Sequence, residues 1–424
     1  MLESLKNKKI LLIEPPFYNL FGYRRYRYPL TLTLVGTYLE KQGNSVKILD
    51  CDLPNDSCKE YSRNEARLNY PRYEEELKNK NNPVWEKIRK VLLSEKPDVV
   101  GLSSVTAKID SANYVAKLVK ETLGRNVIVM LGGPHVTGML KTDKNHHFGE
   151  NYDFVVPFIP NLVTLKPNKS LLMDLDSYTP EEISTIMTSS GCPNKCTFCC
   201  HSYDRTFPFR DEKNLLEELN ETKNKFGSGL FIYIIDDCLF SFSQHFYNVT
   251  NALKKTGMNY SAEARLKALS KEKLQHFIDT GGKKLFVGVE SGSQRVLDRI
   301  NKNITVNEII ERTKWINDLN IPWSAFFIIG FPFETIEDLK KTKELILKIQ
   351  PTFASLNQFT PYPGTELYNE FFFNKKLKSK DLFQLSGKIS YDGFSKEELD
   401  YMEELFNFVD KYNESKKKEL LSKK

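Results

Sequence analysis

The feature that most constrains this chain is a dense run of cysteines. Of seven cysteines in 424 residues, four fall within the stretch SSGCPNKCTFCCHSY at residues 189–203. They are Cys192, Cys196, Cys199 and Cys200. The first three follow the spacing CxxxCxxC. An odd and clustered set of cysteines is not typical of a secreted disulfide framework, so it indicates a reducing compartment and sulfur chemistry at this loop.

Three explanations compete for these sulfurs. Buried cysteines can act as small hydrophobic residues, and zinc sites also begin with closely spaced cysteines. A closed zinc site needs further ligands, and the sequence offers only Cys238, which stands apart, and the neighbouring His201. Three thiolates in one loop instead suit an iron–sulfur cube that leaves one iron free for an external ligand. We therefore favour an iron–sulfur cluster over zinc or simple packing.

The order of apolar runs predicts an α/β chain with two parallel sheets. Runs such as KKILLIEPP, PDVVGLSSVT and NVIVMLGGPHV alternate with helical stretches in the first third, which indicates a doubly wound, Rossmann-like domain. Six further strand-then-helix repeats predict a partial (βα)6 barrel, and the cysteine loop follows their first strand. We assign residues 1–160 to the Rossmann-like domain, 161–184 to a linker, 185–372 to the barrel and 373–424 to a short helical C-terminus.

Two segments of the first domain are harder to interpret. Residues 54–83 are polar and proline-punctuated, and we expect an irregular insertion or lid there. The stretch LFGYRRYRYPLTL, residues 20–32, alternates Arg24, Arg25 and Arg27 with tyrosines. Such alternation could bind nucleic acid by stacking and phosphate contacts, or it could cover a cofactor as a loop. We favour the covering loop.

Charge and hydropathy limit the partners. The chain has 61 basic and 55 acidic residues, a net charge of +6, and part of the excess lies in the tail ESKKKELLSKK. Such a tail is more typical of a solvated helix than of a nucleic-acid-binding segment. The first apolar run, residues 10–13, is too short for a signal peptide or a membrane span. We predict a cytoplasmic protein with no membrane partner and expect no nucleic-acid partner.

The stretch CPNKCTFC resembles the signature of radical S-adenosylmethionine (SAM) enzymes. The resemblance implies a [4Fe-4S] cluster held by Cys192, Cys196 and Cys199, with SAM bound to the fourth iron. Reduction would cleave SAM to a 5′-deoxyadenosyl radical that takes a hydrogen from the substrate. The later stretches YIIDD, EARL, VGVESG, FIIGFP and TPYPG match the family's strand-end motifs in order. The implied SAM contacts are Phe198 near the adenine, Asp236 and Asp237 near the amino group, Glu263 at the ribose, Arg265 at the carboxylate, and Glu290 with Ser291.

The first domain resembles the cobalamin-binding domain of cobalamin-dependent radical SAM enzymes. The resemblance implies cobalamin contacts at Ser103, Ser104 and Thr106, with space provided by Gly132 and Gly133. The DxHxxG signature that supplies an axial histidine in mutases is absent, and His135 is not in that position. The implied cobalt therefore has no histidine ligand.

Together these resemblances imply a methyltransferase that acts on an unactivated carbon of a peptide or small molecule. One SAM would methylate cobalamin, a second would yield the radical, and methylcobalamin would deliver the methyl group. An electron donor such as flavodoxin or ferredoxin would supply the reducing electrons. Three alternatives stay open: a rearrangement, cyclisation or ring contraction with the same cofactors, an enzyme without cobalamin, and a zinc-stabilised RNA-binding protein.

Overall fold

In the computed structural model the chain forms two parallel β-sheets, each flanked by helices. The structure describes residues 5–23, 25, 27–53, 58–59, 63–200, 206–227, 229–375, 377 and 393–422.

The N-terminal sheet has five parallel strands within the described residues. They are β1 (Lys9–Glu14), β2 (Ser45–Asp50), β3 (Val99–Ser103), β4 (Ile128–Gly132) and β5 (Phe154–Val156). Their spatial order is β2-β1-β3-β4-β5, and every neighbouring pair is parallel. The chain changes direction across the sheet between β1 and β3, which is where doubly wound sheets bind ligands beyond their strand ends. The predicted Rossmann-like fold is confirmed.

Helices cover both faces of this sheet. They are α1 (Tyr18–Phe21), α2 (Leu30–Lys41), α3 (Arg63–Leu68), α4 (Tyr70–Lys78), α5 (Pro83–Glu95), α6 (Ile109–Leu123) and α7 (Pro134–Thr142). The expectation that 54–83 is irregular is wrong where the structure describes it, since α3 and α4 lie there. That the segment is an insertion or lid stays a prediction. Tyr73 of α4 is buried 4.7 Å from the ring of Phe17, and Tyr70 lies 6.3 Å from Phe21. Tertiary packing of these aromatic rings outweighs the polar composition of the segment.

The segment predicted as a linker folds back along the edge of the first sheet. Leu172 forms a parallel bridge with Ile48 of β2, and the Met173 N–H donates to the Ile48 carbonyl at 3.0 Å. The segment ends in α8 (Pro180–Ile183), which Thr179 and Glu182 close with a reciprocal capping box. The connection is therefore fixed to the first domain before the second sheet begins.

The second sheet is the partial barrel. Its parallel strands are β6 (Thr185–Ile186), β7 (Phe231–Ile234), β8 (Asn259–Ala264), β9 (Gly282–Glu290), β10 (Trp323–Ile329) and β11 (Phe353–Gln358), in sequential order. Its helices are α9 (Glu212–Phe226), α10 (Ser243–Thr256), α11 (Lys271–Asp279), α12 (Gln294–Arg299), α13 (Val306–Asp318), α14 (Ile336–Ile349) and α15 (Glu366–Phe371). Leu285, Val287 and Val289 of β9 are fully buried toward these helices, so the other face of β9 is directed into the barrel.

The C-terminal helix α16 (Lys396–Ser422) closes one side of the barrel. Met402, Leu405 and Phe406 bury one face of α16 in the barrel core. The Asn413 side chain accepts from the Ala354 N–H at 2.9 Å and donates to the Ala354 carbonyl at 2.8 Å. Asn413 thus pairs with backbone groups on the outer edge of β11. The predicted helical C-terminus is confirmed. Among the helices described, none is both long and apolar enough to cross a membrane.

Candidate functional site

The CxxxCxxC loop directly follows β6, at the carboxyl end of the first barrel strand. Within it Cys196 is buried, Cys192 is half-buried and Cys199 is exposed. The Thr197 N–H donates to the Ile300 carbonyl at 3.0 Å, which ties the loop to the residues that follow β9 and α12. The loop is therefore held at the mouth of the barrel by backbone that lies about a hundred residues further along the chain.

Asp236, two residues after β7, holds the base of this loop. Its buried carboxylate accepts from the Thr188 N–H at 2.6 Å, from the Thr188 hydroxyl at 2.5 Å and from the Ser189 hydroxyl at 2.7 Å. These donors come from the strand end before the cysteines and engage both carboxylate oxygens. In this structure Asp236 positions the cysteine loop, and its implied contact with SAM stays a prediction.

The next residue, Asp237, is exposed at the site. Its carboxylate accepts from the Gly191 N–H at 2.9 Å. Desolvation by the surrounding loops raises the pKa of Asp237 to about 6, although the Gly191 hydrogen bond opposes the shift, and the charge of Asp236 adds to it. Of the two acids, Asp237 keeps an exposed side chain that a bound ligand could reach.

Cys238, which the sequence places far from the other cysteines, lies beside the loop. Its Sγ is 3.2 Å from Cys192 Sγ, and the Asn194 amide donates to Cys192 Sγ at 3.3 Å. The hydrogen bond from Cys238 is the main reason that the pKa of Cys192 falls to about 5. The expectation that Cys238 stands apart is therefore wrong.

Arg265, directly after β8, brings a positive charge to the cysteines. Its guanidinium donates to Cys196 Sγ at 3.4 Å and to the Lys302 carbonyl. The guanidinium thus places a cation and a hydrogen-bond donor beside a predicted cluster ligand. The predicted Arg265 is thus at the cluster loop, and its implied contact with the SAM carboxylate stays a prediction.

The donor set fits a [4Fe-4S] cluster. Three thiols lie on one loop at a barrel mouth, with Arg265 and Asn194 as donors to their sulfurs, and such thiolates are the usual cluster ligands. Within the described ranges, no three His, Cys, Asp or Glu side chains converge as ligands of one ion. A [4Fe-4S] cluster does not require three ligands to converge on one ion, because each thiolate binds a different iron. His201, weighed as a zinc ligand, lies outside the described residues.

The end of β9 carries the next two predicted SAM residues. Glu290 has φ of +71°, a left-handed conformation that is uncommon for residues other than glycine. Its buried carboxylate lies 2.5 Å from the Lys302 ammonium, which holds this unusual turn. Ser291 is fully buried and its hydroxyl accepts from the Ser293 N–H at 3.1 Å. Backbone strain of this kind is concentrated at functional sites.

Glu263 and Phe198 complete the predicted SAM set. The Tyr233 hydroxyl donates to Glu263 Oε1 at 2.9 Å. Desolvation raises the pKa of Glu263, and Arg27 of the first domain opposes that rise. The half-buried ring of Phe198 packs edge-on to Phe331, with 6.0 Å between centroids. All of the predicted SAM residues therefore lie on the cysteine loop or at the carboxyl ends of neighbouring strands.

A cavity of about 820 Å³ lies between the two sheets. Its walls are mainly apolar and include Leu12 and Met130 from the first sheet, and Met187, Tyr233 and Phe286 from the barrel. It lies at the position where the first sheet changes direction. Its size, its apolar walls and its position fit a large cofactor held between the domains.

The predicted cobalamin residues divide into two groups. Ser103, Gly132 and Gly133 line the cavity, whereas Ser104 and Thr106 are buried and do not line it. The Ser104 hydroxyl donates to the neighbouring Val105 carbonyl. Gly133 has φ of +103°, and a Cβ there would lie 2.6 Å from the Ser104 carbonyl oxygen. The backbone at Gly133 therefore leaves no space for a side chain.

Thr106 and His135 form a separate buried contact behind the cavity wall. Their Oγ1 and Nδ1 atoms are 3.2 Å apart. Burial lowers the pKa of His135 to about 4. His135 lies in the first turn of α7, where its ring packs against Phe148 rather than lining the cavity.

A charge cluster at one end of the cavity was not predicted from the sequence. Lys108 Nζ lies 2.5 Å from Glu14 Oε1 and 2.6 Å from Asp52 Oδ2, and Arg25 pairs with Asp50. Acidic residues at the ends of two adjacent parallel strands were the available signal. The structure also corrects one reading of the Arg–Tyr stretch, because Arg25 is buried in an ion pair and is not free for nucleic acid. Arg24 lies outside the described residues.

Comparisons with known proteins agree with this two-part site. Residues 186–346 match the family model of the Radical SAM superfamily, and residues 24–151 match that of the B12 binding domain. An uncharacterised methyltransferase of Pyrococcus horikoshii is 26% identical over 66% of this chain and 71% of its own length. The anaerobic magnesium-protoporphyrin IX monomethyl ester cyclase of Cereibacter sphaeroides is 24% identical over 67% of this chain and 55% of its own length.

Two further proteins extend the comparison. The cytidylyl-2-hydroxyethylphosphonate methyltransferase of Streptomyces wedmorensis is 22% identical over 87% of this chain and 82% of its own length. Among solved structures, the radical SAM methyltransferase TsrM of Kitasatospora setae, with tryptophan and a SAM analogue bound, superposes with a TM-score of 0.60 at 13% identity. That superposition covers 84% of this chain and 74% of TsrM, so the two share their fold.

Proposed function

The chain belongs to the cobalamin-dependent radical SAM enzymes, and from that premise we propose that it methylates an unactivated carbon of a peptide or small molecule. Its cofactors are a [4Fe-4S] cluster, SAM and cobalamin. The methyltransferases among its relatives support methyl transfer as the reaction.

The observation that supports the proposal most is the cavity shared by the two domains. Arg27 of the first domain lies over the ring of Tyr233 of β7, with 5.9 Å from its guanidinium carbon to the ring centroid. The cavity reaches from Ser103, the last residue of β3, to Ser190 in the cysteine loop. A group held by the first domain and a group held at the cluster would therefore face the same enclosed volume.

The chain's own residues have separable tasks in this proposal. Cys192, Cys196 and Cys199 hold the cluster, and Arg265 balances the charge of the thiolates. The SAM-facing set is Phe198, Asp237, Glu263, Arg265, Glu290 and Ser291, with Asp236 behind it. When bound, the cluster with SAM supplies a carbon radical that removes a substrate hydrogen, and cobalamin supplies the methyl group.

The barrel interior presents aromatic rings to the site of that chemistry. The rings of Tyr233 and Phe286 lie 5.2 Å apart, and Phe286 stacks on Phe326 at 6.2 Å. These aromatic rings come from three strands and line the inner face below the cysteine loop. A primary carbon radical attacks most C–H bonds, so apolar walls that displace water would help to keep it directed at the substrate.

The proposal includes a cytoplasmic location and a one-electron donor such as flavodoxin or ferredoxin. Its experiment uses protein reconstituted without oxygen with iron, sulfide and hydroxocobalamin. The protein is given SAM labelled with ¹³C at its methyl group, together with peptide and small-molecule fractions from cells that lack it. We expect a labelled methyl group in one product and release of 5′-deoxyadenosine. A C196A variant is the matched control.

The relationship to a cyclase favours one second candidate, a non-methylating rearrangement or cyclisation. It predicts a product without label together with release of 5′-deoxyadenosine. Colourless protein with bound zinc and no 5′-deoxyadenosine would contradict both candidates and support a binding role.

A further inference from the structure

We propose that the thiol of Cys238 donates a hydrogen bond to the Cys192 thiolate in the loaded enzyme and so raises the reduction potential of the cluster. In this view Cys238 is a positioning residue that acts through Cys192 and binds no iron. The inference rests on the cluster and is independent of the methyl transfer proposed above.

The contact is built into the loop that follows β7. Cys238 is 3% exposed, and its Sγ lies 3.2 Å from Cys192 Sγ. Its carbonyl accepts from the Ser241 N–H at 2.9 Å, which fixes the residue at the start of a short 3-10 turn. The thiol is therefore held beside Cys192 by the backbone on its own side.

The two residues before Cys238 hold the loop after β7 against the cysteine loop after β6. Asp236 accepts from Thr188, and Asp237 accepts from Gly191. Three successive residues after β7 thus contact Thr188, Gly191 and Cys192 in turn. Because Asp236 and Asp237 fix the separation of the loops, the approach of Cys238 to Cys192 is a consequence of the fold.

Hydrogen bonds to cluster sulfurs are one of the determinants of a cluster's reduction potential. Reduction adds negative charge to the cluster and its thiolates, so a donor to Cys192 Sγ stabilises the reduced form more than the oxidised form. The Asn194 amide is a second donor to the same sulfur at 3.3 Å. Removal of the thiol should therefore make the cluster harder to reduce without removing a ligand.

Cys200 offers a matched control. It is adjacent to the ligand Cys199, yet its Sγ donates to the Pro363 carbonyl at 3.4 Å. Its removal takes away a thiol near the cluster without taking away a hydrogen bond to Cys192.

The experiment measures the one-electron reduction potential of the cluster in the full chain, without SAM or substrate. Wild type, C238A, C238S and C200A are reconstituted with iron and sulfide and titrated with a reductant while the reduced cluster is followed by electron paramagnetic resonance. We expect C238A to lower the reduction equilibrium constant about tenfold, which is ~59 mV for one electron. C238S keeps an O–H donor and should recover at least half of that shift, and C200A should match wild type.

Two results would overturn the inference. The first is a C238A potential equal to that of wild type, or a C238S potential equal to that of C238A. The second is a loss of iron in C238A as large as in C192A, which would make Cys238 a ligand. Because no substrate is present, neither result depends on which reaction the enzyme catalyses.

Discussion

Substitution of Lys108 by methionine is expected to destabilise the first domain strongly. The Lys108 ammonium lies 2.5 Å from Glu14 and 2.6 Å from Asp52, and its side chain is 6% exposed. The Asp52 side chain is fully buried. Methionine fills nearly the same volume, so the main effect is to leave the buried carboxylate of Asp52 without its cation, while Glu14 keeps only Arg25, at 3.8 Å. Breaking a buried ion pair by removing one partner costs about 3–5 kcal/mol.

That cost should appear directly in thermal unfolding. For a domain of about 150–250 residues, each kcal/mol shifts the midpoint by roughly 2–4 °C. K108M should therefore lower the first unfolding transition by roughly 6–20 °C in differential scanning calorimetry. The double variant E14Q/K108M removes one of the stranded charges, so it should recover at least ~1 kcal/mol of the loss.

Lys117 of α6 provides the matched control. It pairs with Glu121 at 3.7 Å, and both side chains are more than half exposed. Exposed pairs of this kind contribute about 0–1 kcal/mol, so K117M should unfold close to wild type. If K108M lowered the midpoint no more than K117M does, the buried cluster would contribute nothing and the reasoning would fail.

Three further predictions concern Glu334, Gly133 and Arg265. Burial raises the pKa of Glu334 to about 8, although the Gly330 N–H donates to its carboxylate at 2.6 Å. The folded state therefore keeps a proton that the unfolded chain has lost, and stability falls as the pH rises from about 5 to 8. E334Q should therefore raise the melting temperature at pH 8 and have little effect at pH 5, and an equal effect at both would contradict this cause. G133A should cost at least ~1 kcal/mol and weaken hydroxocobalamin binding in an absorbance titration, whereas G149A, at φ of +116° with no atom within 4 Å, should bind normally. R265M should weaken SAM binding at least ~10-fold by calorimetry, because it removes the charge beside Cys196, and unchanged affinity would exclude Arg265 from the SAM site.

Much of the fold could be predicted because both sheets are parallel and buried. Such strands appear as short apolar runs, and the runs KKILLIEPP and NVIVMLGGPHV contain β1 and β4 of the structure. The cysteine loop was recognisable because its ligands lie on eight consecutive residues. Patterns within one segment are local, and a sequence displays them directly.

The contacts that could not be predicted join distant segments. Cys238 meets Cys192 across 46 positions, and Lys108 meets Glu14 across 94. Neither pair leaves a periodic or spaced pattern, since only the folding of parallel strands brings their ends together. The role of Asp236 was equally hard to predict. Its motif indicates a functional residue, but the sequence does not show whether its carboxylate contacts a ligand or accepts a hydrogen bond from Thr188.

The helices within 54–83 were missed for a different reason. The segment is rich in charge and contains Pro71, which reads as a loop. Pro71 occupies the first turn of α4, where proline is tolerated, and Tyr70 and Tyr73 supply the buried face. Three aromatic residues in thirty give too weak a periodicity for a helix to be recognised without its packing partners.

The central claim is that one chain holds a SAM-cleaving cluster and cobalamin together. Its most direct measurement is the iron, sulfide and cobalamin content of the anaerobically reconstituted protein, with the 5′-deoxyadenosine that it releases from SAM on reduction. The account predicts about four irons and one cobalamin per chain, and 5′-deoxyadenosine far above that from the triple variant C192A/C196A/C199A. Release no greater than that of the triple variant, from protein that contains iron and sulfide, would contradict it.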